Sequence, residues 1–287
     1  MYKRFFGLNE NPFNVNPDPR FLFQTREIEE ALACLNYGVQ RRRGFILLSG
    51  EVGTGKTTLL NKLLDQLRGE RVTTAFIFNP RLGVNEFLHS VLADFGIACE
   101  SYRKGEILRQ LNQWLLERYR AGESAVLIVD EAQNLSLEVL EEIRLLTNLE
   151  TSTEKLLQIV LSGQTELEFL LKQPALRQLR QRISLRCRMT PLTLRDTRGY
   201  VSERLRIAGA QGDPIFGPGA LETVFRYSGG IPRVINLLCE HALITAFAEG
   251  EKPVLADTIL AVAREFELDG PPKLIVPTQE AAKASAV

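Results

Sequence analysis

Residues 50–57 have the composition and spacing of a phosphate-binding loop, because they fit G-x-x-x-x-G-K-[ST] at every fixed position. Glycines let backbone N–H groups turn toward phosphate oxygens, Lys56 brings a positive charge, and the Thr57 hydroxyl is a ligand for Mg²⁺. A glycine-rich turn with a chance lysine is the alternative. A dinucleotide fingerprint is excluded, since Thr58 stands where it needs a third glycine. The residues predicted to bind ATP are Gly50, Glu51, Val52, Gly53, Thr54, Gly55, Lys56, Thr57 and Thr58.

Two carboxylates follow a second apolar run. Residues 125–129 are apolar throughout, and Asp130 and Glu131 come directly after them. Buried strands exclude acids, so this pair marks the end of a strand, where open α/β sheets bind ligands. Asp130 suits Mg²⁺ together with Thr57, and Glu131 suits activation of an attacking water molecule. The alternative is an acidic cap at a helix N-terminus.

The elements that must position these residues alternate between short apolar strands and amphipathic helices. Strands wholly apolar and separated by helices predict a parallel five-stranded sheet covered on both faces, a three-layer αβα sandwich. Strands are predicted near 45–49, 73–78, 125–129, 156–161 and 184–189, and helices near 56–68, 84–95, 105–120, 136–149 and 165–181.

The pattern changes at Pro191, after which the chain reads as helices near 193–208, 217–228, 231–249 and 255–267. Breakers rich in glycine and proline separate them. We therefore expect a P-loop nucleotide-binding domain at 1–190, a small all-helical lid domain at 191–268 and a disordered tail at 269–287.

Composition limits the classes of function. Lys and Arg number 35, as do Asp and Glu, so no overall charge draws the chain to nucleic acid. The run Arg41–Arg43 is interpreted as solvated surface in preference to a nucleic-acid contact. The sequence shows neither a signal peptide nor an apolar run of membrane-spanning length, so we expect a cytoplasmic protein without direct membrane insertion.

Together these features resemble the AAA+ ATPases and, more closely, the general-secretion-pathway protein A (ExeA-type) family. The resemblance spans roughly residues 1–268, and its motifs taken together are specific for the family. The segments that carry it are 6–8, 11–13, 17–22, 50–59, 130–133, 145–150, 157–161 and 229–233.

The resemblance implies roles for three further residues. Gln164, at the tip of the fourth strand, matches the sensor that contacts the γ-phosphate or water; a plain polar loop residue is the alternative. Arg182 matches the arginine finger that reaches a neighbouring subunit's ATP, with Arg180 as runner-up in a segment crowded with arginines. Arg233 matches the lid arginine that touches the nucleotide within the same subunit. A finger acting between subunits implies a homo-oligomer.

The resemblance implies an ATPase that drives or regulates assembly of a cell-envelope machine for secretion, pilus formation or exopolysaccharide export. A DNA-associated AAA+ regulator of the transposition or replication-initiator type is the alternative, and a nucleotide switch with little hydrolysis is a third. Family members commonly continue past the lid into a transmembrane helix and a peptidoglycan-binding domain, whereas this sequence ends in a short polar tail. We therefore expect a membrane-protein partner, with the protein cytoplasmic or peripheral to the inner membrane through that partner.

Overall fold

The computed structural model describes residues 1–14, 16–78 and 81–268. The predicted disordered tail, 269–287, lies outside these residues. The described chain forms two compact units, one within 16–191 and one that combines the start of the chain with residues from 192 onward. The first of these carries all five strands, and the second is helical apart from an isolated bridge between Phe216 and Val254.

A five-stranded parallel sheet forms the centre of the 16–191 unit, as predicted. The strand order is β2-β3-β4-β1-β5, so the strand before the predicted phosphate loop lies in the interior of the sheet, between β4 and β5. The order also makes the two strands with polar tips, β3 and β4, direct neighbours. The strands are β1 (Phe45–Gly50), β2 (Val72–Ile77), β3 (Ser124–Val129), β4 (Leu157–Gly163) and β5 (Leu185–Met189).

Helices cover both faces of this sheet, which confirms the three-layer sandwich. Phe45 and Leu47 of β1 pack into a core shared with the helices between β2 and β5, whereas Ile46 and Leu48 pack with the helices that flank β1. The alternation follows from the two-residue period of a strand. After the short first helix α1 (Tyr2–Phe6), the helices of the 16–191 unit are α2 (Arg26–Gln40), α3 (Lys56–Leu67), α4 (Val84–Asp94), α5 (Lys104–Arg120), α6 (Leu137–Leu146), α7 (Thr165–Leu171) and α8 (Arg177–Arg182).

The single helix predicted at 165–181 is wrong. The structure has two helices, α7 and α8, separated by a short 3₁₀ turn, Pro174–Leu176. Proline lacks the N–H that would continue the helix, and its ring clashes with the preceding turn, so α7 ends at Leu171. The break starts a separate short helix that carries the arginine-rich segment.

The helical unit contains α1 with α9 (Leu194–Ile207), α10 (Ala220–Ser228), α11 (Pro232–Glu249) and α12 (Ala256–Glu265). The residues at the start of the chain, predicted to belong to the P-loop domain, instead pack in this unit. Buried Arg204 of α9 donates to the carbonyl oxygens of Pro12 at 2.5 Å and Asn14 at 3.2 Å. The Tyr2 hydroxyl donates to the Glu240 carboxylate, and burial together with that bond raises the pKa of Tyr2 above its ordinary value. These long-range bonds could not be inferred from the local pattern.

Candidate functional site

The predicted phosphate loop connects the end of β1 to the first residue of α3. Gly53 and Gly55 adopt φ values of 80° and 96°, in the left-handed region that favours glycine. The Thr54 hydroxyl donates to the Glu51 carbonyl oxygen at 2.8 Å and closes the loop from within. Glu51 and Val52 are exposed, whereas Thr54 is buried. A helix that begins directly after such a loop presents free backbone N–H groups, which suits an anion.

Lys56 opens α3 and is almost fully buried, with 5% of its surface exposed. Its ammonium donates to the carbonyl oxygens of Gly50 at 3.0 Å and Glu51 at 2.9 Å. Burial lowers the pKa of Lys56, and the carboxylates of Glu131 and Asp130 act in the opposite direction. The side chain is therefore a buried positive charge held against the loop that it would serve.

Asp130 directly follows β3, and its side chain accepts hydrogen bonds from one residue of α3 and one residue of β4. The carboxylate is fully buried and accepts from the Thr57 hydroxyl at 2.6 Å through Oδ2 and from the Ser162 hydroxyl at 2.7 Å through Oδ1. Thr57 belongs to α3 and Ser162 to β4. The two residues predicted to bind the metal, Thr57 and Asp130, are thus in direct contact.

This pair fits Mg²⁺, which prefers oxygen ligands and takes only one or two from protein when the phosphates of a substrate supply others. A hydroxyl and a carboxylate 2.6 Å apart are such a set. No group of three or more metal-ligating His, Cys, Asp or Glu side chains occurs in the described part of the chain.

Glu131 follows in a tight bend and is held by two amides. Its φ of 54° is unusual for a residue with a side chain. The Oε2 atom of its carboxylate accepts from Gln133 Nε2 at 2.5 Å and from Gln164 Nε2 at 2.9 Å. Gln164 directly follows β4 and precedes α7. The structure therefore brings the predicted base and the predicted sensor into one hydrogen-bonded group.

The three predicted arginines are all exposed. Arg182, at the end of α8, is exposed and donates to the Asn148 side-chain oxygen at 3.0 Å; Arg180 is exposed on the same helix. Arg233 is exposed in the first turn of α11, in the helical unit. Their roles toward a nucleotide stay predictions.

Sequence reasoning missed Ser162 and Gln133 as members of the site. Both lie in segments quoted for the family resemblance or next to them, but neither matches a fixed motif position. Their contacts depend on β3 and β4 being neighbours, which the strand order sets. A polar residue at the carboxyl end of β4 is the signal that could have marked Ser162, and no fixed motif position marks Gln133.

Comparisons by sequence identify similar proteins. Residues 39–171 match the AAA domain family. General secretion pathway protein A of Aeromonas hydrophila is 48% identical over 266 residues, which make up 92% of this chain and 48% of that protein. The Mu-like prophage FluMu DNA transposition protein B of Haemophilus influenzae is 30% identical over 128 residues, 44% of this chain and 38% of that protein. The chain thus spans less than half the length of either relative.

The fold also matches solved structures. The ORC2 protein of Aeropyrum pernix, in complexes with ADPNP and ADP, aligns with a TM-score of 0.66 at 18% identity. The alignment covers 90% of this chain and 72% of that protein. At this identity the likeness concerns the fold, a parallel sheet with helices on both faces followed by a helical region.

Proposed function

This chain carries an AAA domain and is related to general secretion pathway protein A, and on that premise we propose that it binds ATP with Mg²⁺ and hydrolyses it. We further propose that hydrolysis drives or regulates assembly of a cell-envelope machine through a membrane-protein partner. The observation that carries the enzymatic part is the joint placement of the Asp130–Thr57 pair and the amide-held Glu131 at the ends of β3 and β4.

Each residue has a defined task in this reaction. The phosphate loop binds the phosphates through backbone N–H groups, and Lys56 brings its charge to the β- and γ-phosphates. Thr57 and Asp130 hold Mg²⁺, which neutralises phosphate charge when bound. Glu131 accepts the proton of the attacking water, and Gln164 positions that water or the γ-phosphate.

The test of hydrolysis is steady-state turnover of ATP by the protein and by its Glu131→Gln variant. The amide cannot accept a proton, so we expect turnover to fall by about 10²- to 10⁴-fold while ATP affinity stays within a few-fold of the original. Asp65→Asn, an acid-to-amide change on α3 away from the strand tips, serves as the control. Near-normal turnover in Glu131→Gln would assign the base to another residue.

The envelope role is supported by the 48% identity to a secretion protein over nearly the whole chain. In the described residues no helix is long and apolar enough to cross a membrane. We propose that a membrane-protein partner recruits the chain. We expect the protein to sediment with inner membranes in cells that produce the partner and to remain in the supernatant when the partner's gene is deleted. Equal distribution in both strains contradicts this role.

A DNA-associated role is the second candidate, because the FluMu relative is named as a DNA transposition protein. Five exposed arginines on α8 and β5 offer a basic surface to phosphates: Arg177, Arg180, Arg182, Arg186 and Arg188. A gel-shift assay with ATP at low and moderate salt separates the two roles. Tight, salt-sensitive binding that is lost when these arginines are neutralised would favour DNA.

A further inference from the structure

Glu131 is the proposed base, but its backbone does little to fix its carboxylate. The residue lies in the left-handed region at the first position after the Asp130 bend, outside any regular element. Its N–H donates to Asp130 Oδ1 at 3.0 Å, and its carbonyl oxygen accepts from the Asn134 N–H at 3.0 Å. These bonds hold the main chain in a conformation that is uncommon for a non-glycine residue. The carboxylate itself needs partners from elsewhere.

Gln133 supplies one of them and uses both ends of its amide in doing so. Its Nε2 donates to Glu131 Oε2 at 2.5 Å, and its Oε1 accepts from the backbone N–H of Gln164 at 3.1 Å. The side chain of Gln164 donates to the same Oε2 at 2.9 Å. Three hydrogen bonds thus close a ring that joins the base, Gln133 and the tip of β4.

The chemistry of the partners fixes the direction of the Gln133 amide. A backbone N–H can only donate, so the end of Gln133 that meets Gln164 must be its oxygen. A carboxylate can only accept, so the end that meets Glu131 must be the –NH₂ group. A glutamine therefore fits both partners, whereas a glutamate at the same position would keep the acceptor and lose the donor.

The Gln133 amide lies in a narrow slot beside Gly163, and a side chain at position 163 would fill that slot. A Cβ atom placed on Gly163, the last residue of β4, would come within 2.9 Å of Gln133 Oε1 and 2.6 Å of Leu167 Cδ2. Both separations are shorter than side chains tolerate, so the glycine permits the close approach of Gln133 to β4. The slot keeps the Gln133 side chain against the sheet edge where Glu131 and Gln164 meet.

We propose that Gln133 is a positioning residue that sets the Glu131 carboxylate and couples it to the tip of β4. This inference rests on the proposed ATP hydrolysis and adds a residue that the motifs do not mark. Gln133 acts through Glu131, so it contributes to the rate of the chemical step and contributes nothing to nucleotide binding.

Gln133→Glu tests the proposal most sharply. It keeps the side-chain length and the oxygen that accepts from Gln164, but it replaces the –NH₂ group that donates to Glu131 with a second negative charge. We expect kcat to fall by about 10- to 100-fold, the usual worth of a hydrogen bond to a charged group, with KM and ATP affinity within about twofold. The same change at exposed Gln113 of α5 is the matched control. Adding Gln133→Glu to Glu131→Gln should slow turnover no further, because the base is already gone.

An unchanged kcat overturns the proposal, and so does a parallel loss of kcat, ATP affinity and melting temperature, which would indicate a purely structural role. A second measurement does not need turnover and so separates this proposal from the proposed hydrolysis. Side-chain amide resonances of Gln133 and Gln164 should both shift in ¹⁵N–¹H spectra of Glu131→Gln, while those of Gln113 stay in place. If the protein fails to hydrolyse ATP, these shifts still support the contact, and their absence refutes it.

Discussion

At the scale of single residues, the proposed function depends on a few buried polar groups, and Lys56 is one of them. The ammonium is held by two loop carbonyls, and burial lowers its pKa while nearby carboxylates act against that change. We expect Lys56→Ala to lose ATP binding by at least about 100-fold, because the phosphates lose a buried counter-charge. Lys62→Ala, which removes the same charge further along α3, is the control. Calorimetric titration with ATP measures both, and normal affinity in Lys56→Ala would contradict the loop's assigned role.

At the scale of elements, the prediction that the run Arg41–Arg43 is solvated surface is wrong for Arg42, whose side chain is only 15% exposed. Arg42 follows α2, donates to the Glu123 carbonyl oxygen at 2.9 Å and lies 4.9 Å from the Tyr119 ring centre. It also pairs with Glu154 at 3.5 Å. One side chain thus connects three segments that lie far apart in sequence.

We expect Arg42→Ala to lower the free energy of unfolding by about 1–3 kcal/mol, since a partly buried carbonyl loses its donor and an aromatic ring loses its cation–π contact. Exposed Arg41→Ala should change it by less than about 0.5 kcal/mol. Urea denaturation of both variants measures the difference. Equal effects from the two substitutions would restore the interpretation of the run as solvated surface.

Elements also show what the sequence could predict. The strands were predictable where they are apolar, as β1 and β3 are, and the phosphate loop was predictable because its motif is local. Pro174 is a local signal for the break between α7 and α8. The contacts of Gln133 and Ser162 were not predictable, because they depend on which strands become neighbours.

At the scale of the whole molecule, the proposed homo-oligomer makes a prediction about Arg182. If the arginine finger acts between subunits, Arg182→Ala should still bind ATP, but its rate of ATP hydrolysis should fall by about 10³-fold. Mixing it with Lys56→Ala subunits should restore part of the activity, because their intact arginine can serve the intact sites. The Lys56→Ala/Arg182→Ala double variant supplies no arginine and should restore none. No rescue at any ratio, with assembly confirmed by light scattering, would contradict action between subunits.

The helical unit combines residues that precede the 16–191 unit in sequence with residues that follow it. Its two parts therefore leave the ribosome at different times. Residues 1–14 emerge first, yet their partners Arg204 and Glu240 are translated roughly 190 to 240 residues later, a delay of about 10 to 50 seconds at ordinary elongation rates. During that interval Tyr2, Phe6 and Phe13, which end up buried, have no native surface to cover them. The nascent chain therefore exposes an aromatic segment to chaperones, while the strands that follow it in sequence can already form their sheet.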